Sequence, residues 1–246
     1  MKVLSIGNSF SQDAHKWLHD LANANGVDME TVNLYIGGCS LETHYINAVN
    51  QHAFYDLERN GQSTFEKISI TDALNLEKWD VITLQQVSYL SGVAESYEPY
   101  LSFLANLVRS TCPNAKVYFH QTWAYETDAS HSGFAKNYQN DQKLMFERII
   151  AVTTEMAKSI HTDIIPVCKV IQNLRENTTE FDYLKSGVSL CRDGYHLTYD
   201  YGRYAAAATW LRVLSGKPVS PSPFQDFDIE ILKEILSVVN AVCEIQ

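Results

Sequence analysis

Ser9, Asp193 and His196 are the residues in this sequence whose types and spacing could support covalent chemistry. A serine hydroxyl is a weak nucleophile until a base, most often an imidazole, takes its proton, and that imidazole needs a third group to hold its tautomer. Asp193 and His196 stand three positions apart in Asp193-Gly194-Tyr195-His196, so one turn can bring carboxylate and ring together. Ser9 follows a strand-like run, Lys2–Ile6, and precedes a helix-periodic stretch. A hydroxyl at such a junction would face free backbone N–H groups and the positive end of a helix, which stabilise a developing oxyanion. The order Ser…Asp…His runs without a G-x-S-x-G elbow, because Gly7-Asn8-Ser9-Phe10-Ser11 ends in serine.

Alternating strand-like and helix-like segments must position these groups. Lys2–Ile6 reads as a buried strand. Ser11 is placed to cap a helix running through Asn25, with Ala14, Trp17, Leu18, Leu21 and Ala22 at helical spacing and Gly26 as the C′ residue. Thr31–Ile36 is a second strand, ending at Gly37-Gly38. Residues 42–67 show helical potential over Tyr45–Leu57 and then a polar, glycine-containing loop. A short helix over Asp72–Lys78 precedes the strand Asp80–Leu84, and the helix Tyr97–Thr111 stops at the turn signal Cys112-Pro113-Asn114. Strands at Lys116–His120 and Asp163–Pro166 flank a long helix, Gln139–His161. After a loop over 176–197, Tyr199–Leu214 and Asp228–Val242 close the chain as helices. Five strands interleaved with helices predict a single α/β domain over residues 1–246, a three-layer α/β/α sandwich with a five-stranded parallel sheet.

Ligands of open parallel sheets bind beyond the carboxyl ends of the strands. The segments at those ends are Gly7–Ser11, Gly37–Ser40, Gln85-Gln86-Val87-Ser88, His120-Gln121-Thr122-Trp123 and the Asp193–His196 loop. Composition narrows the partners. With 29 acidic against 19 basic residues the formal charge is −10, which repels phosphate backbones and argues against nucleic acid. No stretch approaches the roughly 18–20 apolar residues of a membrane helix. The first residues lack a signal peptide's apolar core and cleavage site. The cysteines at 39, 112, 168, 191 and 243 are odd in number and form no CxxC, which suits a reducing compartment, so a cytoplasmic location is expected.

The strand-end residues resemble the SGNH, or GDSL-type, hydrolase family over about residues 3–200. That family has Gly-Asp-Ser after the first strand, a glycine after the second, an asparagine after the third and Asp-x-x-His near the C-terminus. Gly7-Asn8-Ser9, Gly37-Gly38, Gln85-Gln86 and Asp193-Gly194-Tyr195-His196 fall in that order. The resemblance implies a flavodoxin-like strand order, 2-1-3-4-5, with Ser9 as nucleophile, His196 as general base and Asp193 as its orienting partner. It places the N–H groups of Ser9 and Gly38 in an oxyanion hole, with a side-chain amide as third donor, and needs no metal or organic cofactor.

Two departures stand out. Asn8 replaces the family's aspartate, and Leu84-Gln85-Gln86-Val87-Ser88 replaces Gly-x-Asn-Asp. A glutamine amide donates the same hydrogen bond with one more methylene of reach, so Gln85, first past the strand, is taken as the third donor with Gln86 as the alternative. Some carbohydrate-deacetylating branches of the family look similar here. The expected substrate is therefore a small acyl ester, an acetyl ester above all, carried on a carbohydrate. Gln86, His44, His120 and Trp123 are expected to line the pocket, where an indole can stack on a sugar face.

Taken singly, each motif has an ordinary reading. Ser9 could simply cap a helix, Asp193 could be a turn residue beside Gly194, and the glutamines could be strand-end polar groups. Their joint occurrence at successive strand ends favours the hydrolase. His15 and His19 have a metal-holding spacing, but no third ligand accompanies them and no metal site is expected. Cys39, without a partnered base, reads as a small buried spacer. A lipid or thioester hydrolase of the same fold, and a non-catalytic ligand-binding domain, remain as alternatives. Oligomeric state and the roles of residues 42–67 and 125–140 stay open.

Overall fold

The computed structural model describes residues 1–244. Its strands are β1 (Lys2–Gly7), β2 (Glu30–Tyr35), β3 (Tyr55–Arg59), β4 (Gln62–Ile68), β5 (Val81–Leu84), β6 (Lys116–His120) and β7 (Asp163–Ile165). Its α-helices are α1 (Ser9–Ala24), α2 (Leu41–Val49), α3 (Ile70–Leu76), α4 (Tyr100–Thr111), α5 (Ser132–Tyr138), α6 (Gln142–Ser159), α7 (Val167–Asn177), α8 (Tyr201–Ser215) and α9 (Ile229–Glu244). The strands form one sheet in the order β4-β3-β2-β1-β5-β6-β7. The stretch from β2 to β7 is parallel, and its order is the expected 2-1-3-4-5 counted over the parallel strands alone.

The sheet has seven strands rather than five, because β3 and β4 add an antiparallel hairpin to the β2 edge. They occupy the segment expected to be helix and loop. Only Leu41–Val49 is helical there. The hairpin turns at Asn60-Gly61, with φ of 48° and 72°, the paired positive values that asparagine–glycine turns tolerate. Glu58 ties the hairpin to its neighbours, its carboxylate accepting from Asn33 Nδ2 on β2 (2.8 Å) and Gln12 Nε2 on α1 (2.5 Å). Two helices go beyond the expectation. The long helix expected over 139–161 forms as α6, and a further short helix, α5, precedes it, separated by the left-handed backbone angles of Gln139 and Asn140. Helix α7 forms directly after β7, where no element was anticipated.

The central strands are buried on both faces, so their side chains feed two cores. Val3, Val81 and Tyr118 join the core under α1, α7, α8 and α9, while Leu4, Ile6, Ile82, Leu84 and Phe119 join the one under α2, α3 and α4. Ala205–Ala208 of α8 are fully buried, and these small side chains let α1 approach closely. That packing brings residues near both ends of the chain to one rim of the sheet. A polar seam crosses the same face. Thr83 Oγ1 donates to Ser5 Oγ (2.8 Å), which meets His15 Nε2 (2.7 Å), and His120 packs edge-on against Trp210, ring centroids 4.9 Å apart.

His15, His44 and His120 are essentially solvent-free, and burial pulls each pKa down to about 3. The folded chain therefore holds all three neutral, whereas the unfolded chain takes up protons below the ordinary value of 6.5. Their contribution is complete above that value and is lost as pH falls toward 3. Urea unfolding should thus show lower stability at pH 5 than at pH 7, by up to about 2 kcal/mol per histidine. An unfolding free energy unchanged between those two pH values would contradict this.

Candidate active site

Ser9 is the first residue of α1, and Asn8, not Ser11, caps the helix. Asn8 Oδ1 accepts from Phe10 N (3.0 Å), while Ser11 Oγ accepts from Asn8 N (3.1 Å) in a reciprocal capping box. Strand and helix meet so tightly that a Cβ on Gly7 would lie 2.0 Å from Ser11 Oγ, which explains the glycine two residues before Ser9.

His196 reaches this helix start from the far end of the chain. Its Nε2 lies 3.0 Å from Ser9 Oγ, and its Nδ1 lies 2.7 Å from Asp193 Oδ2. The other carboxylate oxygen accepts the backbone N–H groups of His196 (2.7 Å) and Tyr195 (3.2 Å). Burial raises the cost of ionising Asp193, but hydrogen bonds from the His196 ring and from these backbone groups outweigh it and hold its pKa below the ordinary carboxylate value. An ionised Asp193 accepts the Nδ1 proton, leaving Nε2 with the lone pair that faces Ser9. The structure thus brings Ser9 Oγ, the His196 ring and the Asp193 carboxylate into one hydrogen-bonded chain.

The N–H groups of Ser9 and Gly38 make no hydrogen bond among the described residues, and both residues line the cleft that holds Ser9 Oγ and His196. The cleft encloses about 300 Å³. Tyr35, Tyr89, Tyr125, Tyr195 and Phe10 supply most of its walls, with Ser88 and His131 as further polar members. His131 Nδ1 accepts from Gly133 N (3.0 Å), which fixes the ring's proton on Nε2. No lysine, arginine, aspartate or glutamate lines the cleft.

A family model for DUF4886, a domain of unknown function, matches residues 2–237. The chain belongs to the DUF4886 family. A DUF4886 protein from Bacteroides uniformis is 39% identical, with a TM-score of 0.91 over 99% of this chain and 95% of that one. The same α/β fold, with its mostly parallel sheet between helices, occurs in more distant structures. A putative SGNH hydrolase from Slackia heliotrinireducens matches at 18% identity and a TM-score of 0.59, covering 87% of this chain and 98% of its own. An acetylxylan esterase from Geobacillus stearothermophilus matches at 13% and 0.54, covering 86% of this chain and 92% of its own. No curated protein matches the chain.

Within this DUF4886 fold, several residues expected in the pocket do not line it. Gln85 is buried, and its Nε2 donates to Asn8 Oδ1 (2.6 Å) while its Oε1 accepts from His120 Nδ1 (2.7 Å). Gln85 is also not a lining residue of the cleft, so it does not fill the expected place of a third oxyanion donor. Gln86 is no substitute. Its Nε2 donates to Ser96 O (2.9 Å), and its Oε1 accepts from the N–H groups of Leu41 (3.0 Å) and Val87 (2.8 Å). His44 sits in the opposite core beside Tyr55, with Nδ1 2.9 Å from the phenol oxygen. His120 lies beneath Gln85. Trp123 stacks under Phe10 with centroids 4.2 Å apart and donates Nε1–H to Tyr195 O (2.7 Å). These side chains brace the residues that form the cleft. Tyr35, Tyr89, Tyr195 and His131 went unread because they carry no local signature and converge from the end of β2 and from separate loops.

The two departures from the SGNH pattern are partners in one hydrogen bond. Asn8 Nδ2 also donates to Cys39 O (3.0 Å), tying the cap of α1 to the segment bearing Gly38. An aspartate at position 8 would set an oxygen against that carbonyl instead of a donor. Gln85→Ala leaves the His120 Nδ1–H unpaired and Asn8 with one support fewer, and should lower stability by about 1–3 kcal/mol. Chemical denaturation checks this, and a variant as stable as the parent would show that the Asn8–Gln85–His120 chain carries no weight.

Proposed function

We propose that the chain is a serine esterase that removes a small acyl group, acetyl above all, from a carbohydrate ester through an acyl-enzyme on Ser9. The observation that carries this reading is the Ser9–His196–Asp193 relay, with spacings of 3.0 and 2.7 Å, at the start of a helix and the edge of a half-open cleft. As Ser9 Oγ attacks the ester carbonyl carbon, its proton passes to His196 Nε2, and Asp193 stabilises the imidazolium that forms. The N–H groups of Ser9 and Gly38, aided by the positive end of α1, hold the negative oxygen of the tetrahedral intermediate. Collapse breaks the bond to the alcohol, which leaves with the proton from Nε2. A water then repeats the sequence on the acyl-enzyme, releasing the acid and restoring Ser9.

The lining supports the substrate class. A cleft of about 300 Å³ lies at the small end of the roughly 300–1,000 Å³ usual for ligand sites. Tyrosine faces suit the apolar face of a sugar, tyrosine hydroxyls suit its O–H groups, and the absence of charged lining residues other than histidine disfavours anionic substrates. Similarity of fold to the acetylxylan esterase is in keeping with this choice. A lipid or thioester hydrolase would require room for a long acyl chain.

An acyl-ester panel on wild type and Ser9→Ala tests the reading. Acetylated sugars should be cleaved in preference to p-nitrophenyl esters of long acids, and Ser9→Ala and His196→Ala should each lower kcat by more than about 10³. A fluorophosphonate probe should label wild type and not Ser9→Ala. Cleavage confined to chains beyond about eight carbons would replace the sugar ester with a lipid substrate, and a wild-type protein that never labels would be a binding domain.

A further inference from the structure

We infer that Asp13 is a positioning residue that holds the base-bearing loop against the helix carrying Ser9, an inference that rests on the esterase reading above. Asp13 lies one turn beyond Ser9 on α1, so the two side chains leave the same side of the helix. One reaches His196. The other, fully buried, reaches both flanks of the Asp193–His196 segment.

Asp13 Oδ2 accepts from Leu197 N (2.9 Å), the residue directly after His196. Asp13 Oδ1 accepts from Arg192 Nη1 (3.1 Å), the residue directly before Asp193, and from Arg203 Nε (2.8 Å) on α8. Arg192 closes the segment on itself, its backbone N–H donating to His196 O (2.8 Å) and its guanidinium to Leu197 O. Both guanidinium groups lie over the Tyr199 ring, at 4.8 and 4.6 Å from its centroid. On the outer side, Glu126 N donates to Gly194 O (2.7 Å) and Trp123 Nε1 to Tyr195 O (2.7 Å). Asp13 is the inner anchor of this loop.

A carboxylate without solvent is retained only when its oxygens are fully used, and each of these is. A rigid helix sets the separation of Ser9 Oγ and the Asp13 carboxylate, so the Asp13–Leu197 bond fixes how far His196 can drift from Ser9. A catalytic pair displaced by about 1 Å can lose on the order of 10²-fold in rate, so such an anchor governs turnover without touching substrate.

Asp13→Asn keeps the shape of the side chain but leaves one acceptor oxygen for Arg192, Arg203 and Leu197 N. It should lower kcat by about 10–100-fold with KM within about 2-fold. In a His196→Ala background, where there is no ring left to position, the same change should alter residual hydrolysis of an activated ester by less than about 2-fold. The downfield proton resonance of His196 Nδ1–H should broaden or move. Wild-type kcat, an effect on KM alone, or the same loss in the His196→Ala background would each overturn the inference. Should Asp13→Asn not fold, Arg192→Gln, which removes one arm, is judged by the same three readouts. An inactive Ser9→Ala beside an unaffected Asp13→Asn sinks this inference alone, whereas an active Ser9→Ala sinks the esterase reading itself.

Discussion

Around the Asn8 side chain, groups from three segments converge, and that junction determines where α1 begins and hence where Ser9 stands. Its Oδ1 receives Phe10 N–H of α1 and the Gln85 amide from the end of β5, while its Nδ2 donates to the Cys39 carbonyl beyond β2. A buried amide is costly unless each of its polar atoms has a partner, and a network satisfied in full becomes rigid. Such rigidity fixes the start of α1, with Ser9, against the segment after β2 that carries Gly38.

The hydrogen bonds among Ser9, His196 and Asp193 could not by themselves hold α1 against the loop ahead of α8. Each contributes about 1 kcal/mol net, more where charge is involved, whereas fully burying a single leucine contributes roughly 1.5–3 kcal/mol. Leu18, Leu21, Leu211 and Leu232 are all buried in the core that joins α1 to α8 and α9. Packing therefore decides that α1 and α8 meet. The polar contacts decide how the loop ahead of α8 sits once they have met. Stability and the geometry around Ser9 are separated in this way, with apolar contacts supplying the first and a few satisfied polar junctions the second.

The surface and the cleft differ in character for a related reason. The chain carries a formal charge of −10, yet among the described residues no lysine, arginine, aspartate or glutamate lines the cleft around Ser9. Its aromatic walls come from the end of β2, the start of α1, the loops after β5 and β6 and the Asp193–His196 loop. Strand order places a site at that rim in any sheet of this topology, while the loops are free to choose the lining. The low-identity structures share the fold, and the lining of the cleft is set by this chain's own residues.

Local patterns in the sequence carried the parallel strands, most of the helices and the three residues of the relay, because burial periodicity and strand-end motifs are properties of neighbouring residues. The β3–β4 hairpin was legible too, in Asn60-Gly61, but the polar flanks of an edge hairpin resemble a loop when read singly. Helix α1 starting at Asn8 instead of Ser11 was a choice between two good caps, and contacts from Gln85 and Cys39 settled it. Tertiary structure alone decided that Gln85 faces Asn8, that Gln86 faces Ser96, and that His44, His120 and Trp123 lie behind the cleft while Tyr35, Tyr89 and His131 line it. Residue type names what a side chain can donate or accept. Which partner it meets depends on segments such as Asn8 and Gln85, 77 positions apart, that only the packed sheet brings together.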